Sequence, residues 1–226
     1  FRRETSTDDG DLLMIVNGTD GTMAAYSIHR SQKVVAPSEF ITDGTYEDCA
    51  VDIDDIYVIV KRTINSNTKH YIERLDDDRT TDASFQLFDG SSDGNKPTST
   101  TVSGLSHLEG KTVECVRDDI FLGEKTVSSG QITIDQVPTT YVEIGLHHDV
   151  LAKTLPAEPR LASGTMVGRK KRIVAVSPVL NQTQNIAING NEVSLKQFPY
   201  TLDSSETSLT GRKRVTPLLG YDEEAQ

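Results

Sequence analysis

No stretch of this chain sustains an apolar period of about 3.6 residues; apolar residues come in short runs that end at turn-forming residues. Residues 11–16 (DLLMIV) form one such run, which stops at Asn17-Gly18-Thr19-Asp20-Gly21. Asn-Gly and Asp-Gly steps are strong hairpin signals, because tight hairpin turns need positive φ, which Asn, Asp and Gly tolerate. Residues 22–29 (TMAAYSIH) then read as the return strand. The expected fold class is all-β, with low helix content.

A second pair of strands follows the same plan. Residues 47–53 and 56–63 (IYVIVKRT) are strand candidates, Asn65-Ser66-Asn67 is a turn, and residues 69–75 (KHYIERL) alternate between two faces. Tyr71, Glu73 and Leu75 share one face, and His70, Ile72 and Arg74 the other. Acidic residues precede each pair: Asp8, Asp9 and Asp11, then Asp52, Asp54 and Asp55. The pairs start roughly 45 residues apart, within the about 40–50 residues of a propeller blade. Two units are too few to close a propeller, which takes at least about four blades.

Turn formers then dominate: Asp76-Asp77-Asp78, Asp89-Gly90-Ser91-Ser92-Asp93-Gly94 and Pro97, with one apolar patch at residues 85–88. Short strands resume at residues 112–117, 121–125, 131–134 and 140–144, a spacing that suits a small sandwich or barrel. Residues 170–176 (KKRIVAV) and 187–195, with a tight turn at Asn189-Gly190-Asn191, extend it, and residues 212–216 (RKRVT) read as a final strand. The expected organisation is therefore residues 1–78 as propeller-like hairpin blades, 79–100 as a linker, and 101–226 as a small β-sandwich or barrel domain.

Composition narrows the partners. Hydrophobic residues make up 35% of the chain, which suits small β-domains better than an enzyme with a thick buried sheet. Acidic residues outnumber basic ones 34 to 23, for a net charge of -11. That sign opposes tight binding to nucleic acid or anionic membranes, yet fits a lumen along which DNA slides without sticking. No apolar run approaches the about 20 residues of a membrane helix, and no signal-peptide pattern is present, so no membrane insertion by this segment is expected. The chain opens at Phe1 without an initiator Met and reads as a piece of a longer polypeptide.

Each candidate for chemistry has a plainer reading. His147-His148-Asp149 could seed a metal site, but no HExxH is present and neighbours on a strand point to opposite faces. His107 reads as a packing residue. Asp76-Asp77-Asp78 and the Asp52, Asp54, Asp55 group lack the loop pattern of a calcium site. No G-x-S-x-G elbow marks a nucleophile, no carboxylate pair stands out for glycoside hydrolysis, and there is no Trp for sugar stacking. Cys49 and Cys115 belong to no CxxC pair; two buried free thiols are expected, and the spacing leaves a disulfide open. The basic runs at 168–172 (GRKKR) and 211–214 (GRKR) suit edge-strand charges or subunit contacts better than phosphate binding. No catalytic, cofactor or metal residue is assigned, and the chain is expected not to be an enzyme.

Four blocks in order carry a family resemblance. Residues 56–75 (IYVIVKRTINSNTKHYIERL) resemble a segment of phage tail proteins in which a strand ending K/R-R-T-I-N-G precedes R-Y-I-E-R-L. Residues 102–135, with VSGLSHLEGKTV and KTVSSGQITID, are similar to a GL-x-HLEG-x-T-V…T-V-x-x-G-x-I pattern of the same proteins. The stretches KRIVAVSPVLNQTQNIAINGN and LTGRKRVTPLLGYDEEAQ resemble the downstream region. The chain departs at Tyr57, where a Trp is common, and at Ser66-Asn67, where a turn Gly is usual. The family is the tail nozzle (tail tubular, or stabilization) proteins of short-tailed bacteriophages. The resemblance implies a propeller-like platform with a small β-domain, in a virion subunit that assembles as a six-fold ring. That ring would sit below the adaptor and portal, contact the adaptor and tail fibre proteins, and form the channel through which DNA leaves. The rival expectation is a receptor- or carbohydrate-binding β-module of a tail tip or fibre.

Overall fold

The computed structural model describes residues 2–3, 10–52, 55–76, 78–154, 172–195 and 208–216. They are all-β: the helical structure among them is one 3-10 turn, Ser106–Leu108. Two compact units divide between His148 and Asp149.

The first unit begins with a four-stranded meander, β1 (Arg2–Arg3), β2 (Gly10–Val16), β3 (Met23–His29) and β4 (Val34–Phe40), each antiparallel to its predecessor. The β2–β3 turn is built as its sequence requires. Asn17 Oδ1 accepts the Thr19 amide and Asp20 Oδ1 accepts the Thr22 amide and hydroxyl, while Gly21 takes φ +74°. Gly21 is needed for space as well: a Cβ there would lie 2.4 Å from Thr45 Cβ, where the turn docks and its carbonyl accepts the Tyr46 amide.

A three-stranded meander follows: β5 (Thr45–Asp52), β6 (Asp55–Ile64) and β7 (Asn67–Leu75). Its inner face carries Ile56, Val58 and Val60, which pack with Tyr46 and with Met14, Met23 and Ala25 of the first sheet in one core. Asn65 and Ser66 form the two-residue β6–β7 turn, both at positive φ (47° and 60°). Because a left-handed backbone strains Ser but not Gly, Ser66→Gly is expected to raise the unfolding free energy by about 0.5–1 kcal/mol, read from a urea melt.

The sequence places a linker at 79–100, but a strand occupies most of its first half. β8 (Asp82–Phe88) joins β10 (Thr112–Arg117), β11 (Ile120–Thr126) and β13 (Tyr141–Leu146) in a sheet ordered β11-β10-β13-β8. β9 (Thr101–Ser103) and β12 (Gln131–Thr133) pair as a second, two-stranded layer. Leu87, Val102, Leu105, Leu108, Val113 and Ile144 belong to the core between the layers. This small sandwich runs from 82 to 146 and lies wholly within the first unit. β4 and β8 escaped the sequence reading for physical reasons. β4 is an exposed edge strand interrupted by Pro37, and β8 is bounded by acidic turns that resemble a linker.

In the second unit, β14 (Val179–Thr183) pairs with β17 (Leu209–Arg212), and β15 (Ala187–Ile188) with β16 (Asn191–Glu192) across the Asn189-Gly190 turn. Of the run expected as a strand at 170–176, Val176 makes a single bridge, to Val215, and residues 172–175 lie outside strands.

Candidate functional site

Strand alternation sets which side chains leave the two meanders. Opposed residues in an antiparallel pair share a face, so the rows Leu13–Tyr26–Pro37 and Ile15–Ala24–Glu39 lie on the face of the first sheet opposite its core. With Ile28 and Val35 they make that outer face largely apolar; Ile15 is 48% exposed and Val35 60%. The second sheet places fewer apolar residues outward. Tyr57 and Ile59 point away from the core, and Ile72, opposite Ile59 on β7, is 78% exposed. The first sheet is therefore apolar on both faces, while the core covers one; the second sheet carries Lys61, His70 and Arg74 around Ile59 and Ile72 on its outer face.

Where β6 nears the sandwich, an arginine takes an inward position. Arg62 is 2% exposed, and hydrogen bonds occupy all five of its N–H donors. Nε and Nη2 donate to Glu73 Oε1 and Oε2 at 2.8 and 2.7 Å. Nη1 and Nη2 donate to Asp82 Oδ2 and Oδ1 at 3.2 and 3.1 Å, and Nη1 also to the Asp43 carbonyl at 2.9 Å. Burial works against the guanidinium's charge, but the bonds and charges of Glu73 and Asp82 outweigh it and raise its pKa. Beside it, burial and then the Asp82 charge push the Tyr46 hydroxyl up to about 12. Thr42 donates to Asp82, and Lys111 to Asp43, both at 2.6 Å.

Asp82 is itself held from behind. Glu143, 1% exposed, accepts the amides and hydroxyls of Thr80 and Thr81 on one oxygen, at 2.8 to 3.1 Å. Gly145 makes room for this turn: a Cβ there would lie 2.2 Å from Thr81 Oγ1 and 2.6 Å from the Asp82 carbonyl.

The second sequence block is also a local clasp. Glu109 accepts the Ser129 and Gly130 amides at 2.9 and 2.6 Å, and the Leu105 amide donates to the Gly130 carbonyl. Leu105, Leu108, Val113, Val127, Ile132 and Ile134 from the same block fill the core. At the far end of the sandwich, Asp118 accepts the Thr139, Thr140 and Tyr141 amides and the Thr140 hydroxyl. Burial raises its pKa, but these bonds prevail and hold it well below the ordinary carboxylate value. The native state thus binds this proton less readily than the unfolded chain. Stability from the clasp is present above the ordinary pKa of 3.8 and lost as pH falls below it toward the depressed native value. Asp118→Ala is expected to cost about 1–3 kcal/mol at pH 7 and to flatten the stability curve in that acid window, measured by urea titration.

The residues singled out in the sequence take ordinary places. His147 Nδ1 meets Glu114 Oε1 at 2.7 Å at the surface. His107 packs its ring on Phe85 with centroids 5.6 Å apart, and burial lowers its pKa. Asp76 lies between Arg74 and Arg79, and Asp55 faces Arg74. Asp8, Asp9, Asp54, Asp77 and the basic run 168–171 lie outside the described residues, whereas Arg212 ends β17. Cys49 and Cys115 are free thiols, and burial pushes Cys115 up to about 11. Among the described residues no group of three or more His, Cys, Asp or Glu side chains is placed to hold a metal, and no helix is long and apolar enough to cross a membrane.

Sequence reading quoted Arg62 and Glu73 inside a motif without giving either a role. The available signal was position. Arg62 sits between Val60 and Ile64 on the inward face of β6, and Glu73 between Tyr71 and Leu75 on that of β7. Opposite charges at inward positions of paired strands are costly to bury apart. Asp82 gave no such signal, because its strand was not recognised. No protein-family model matches this chain, and no curated protein matches it.

Proposed function

We propose that this chain is a structural virion protein: a subunit of the tail nozzle ring of a short-tailed bacteriophage, lining the DNA-exit channel below the adaptor. The observation that best supports the reading is the largely apolar outer face of the first sheet, with Ile15 and Val35 exposed. A sheet with a second apolar face left uncovered suits a larger β assembly, since a free monomer rarely exposes such a patch. The four ordered sequence blocks add to it, and the net charge of -11 suits a wall past which DNA slides. In this role the protein is no enzyme, needs no cofactor, binds DNA only in passing, and has as partners its own copies in a six-fold ring, the adaptor and tail fibre proteins.

Negative-stain imaging of the purified protein and of phage particles labelled with an antibody against it tests the proposal. Rings, and label at the tail tip below the portal, are expected. A monodisperse monomer that binds host polysaccharide would replace this reading with that of a receptor-binding module.

A further inference from the structure

The first unit contains two lobes, the paired meanders and the sandwich, and their buried cores share no residue. The chain passes between them after β7 through residues 76–81. Apolar packing holds each lobe together, and hydrogen bonds join the two. Arg62 and Thr42 bond to Asp82, and Lys111 bonds to Asp43.

We propose that the Arg62–Asp82 contact is a latch that makes the two lobes open as one cooperative body. The guanidinium is divided between them: one fork grips Glu73 on its own lobe, the other grips Asp82 on the sandwich. Both sides are fixed in advance. Glu73 orients Arg62, while Glu143 anchors Thr80 and Thr81 and so sets the start of β8. The Asp82 Oδ1 atom also accepts the Ala83 amide, which holds its carboxylate toward Arg62. A planar, doubly forked contact transmits orientation, since small rotations of either lobe break two bonds together. Without it, the connection at residues 78–81 would act as a hinge between two independently stable parts.

Amide hydrogen exchange on the 226-residue chain tests this, comparing Val58 and Val60 in one lobe with Val113 and Ile144 in the other across a urea series. In the wild type all four amides are expected to exchange through one opening with a common urea dependence. Asp82→Asn removes the charge while retaining an oxygen for the Ala83 amide, and is expected to split the lobes by about tenfold or more in protection. Thr42→Val with Lys111→Met, which leaves Arg62–Asp82 intact, is expected to retain the common opening. Separate openings in the wild type, or a common opening that persists in Asp82→Asn, would overturn the proposal.

Discussion

Replacing Arg62 by Met is expected to destabilise the first unit by about 3–5 kcal/mol, the usual cost of removing one member of a buried ion pair. The size comes from what stays behind. Glu73 and Asp82, with side chains 22% and 15% exposed, would face each other without the cation that separates them. The Asp43 carbonyl would also lose its donor. Arg62→Lys is expected to recover only part of the loss, because an ammonium cannot grip two carboxylates as a double fork. Urea unfolding of the two variants beside the wild type gives both numbers. A cost below about 1 kcal/mol for Arg62→Met would mean that the cluster behaves as an exposed ion pair.

Glu143→Ala is the second large effect, expected at about 2–4 kcal/mol. Two backbone amides and two hydroxyls converge on one carboxylate oxygen in a site that is 1% exposed, and Ala leaves them all without that acceptor. Glu143→Gln retains a carbonyl oxygen there and is expected to lose less than half as much. A Gln variant as unstable as the Ala variant would show that the negative charge, more than the acceptor, holds the turn.

Much of the fold was legible because alternation and turn chemistry speak locally. The strands at 11–16, 56–63, 69–75 and 112–117 lie within β2, β6, β7 and β10, and the turns at Asn17 and Asn65 fall where Asn and Gly predict. Cys49 and Cys115 are separate thiols, one half-buried and one buried, so the expectation of burial holds fully for Cys115 alone. What stayed hidden depends on distant partners. β8 is recognisable as a strand through its pairing with β13, and Asp82 matters through Arg62, twenty positions away. Neither relation leaves a local pattern. The mixed face of His70, Ile72 and Arg74 was readable from alternation, but the register that sets Ile72 opposite Ile59 was not.

The order of pairing also bears on synthesis at the ribosome. Each strand of the two meanders pairs with the one just before it, so that lobe can form hairpin by hairpin as the chain emerges. β8 has no such neighbour. It waits for β13, and the Thr81–Glu143 bond closes a loop with a sequence separation of 62. Until that loop closes, Asp82 is not in place for Arg62, so the junction forms only once the sandwich is complete. A chain halted before β13 would therefore keep the Arg62 bonds to Glu73 and the Asp43 carbonyl but leave the two that Asp82 accepts to water, so this lobe reaches its full set of bonds only when the later one is finished.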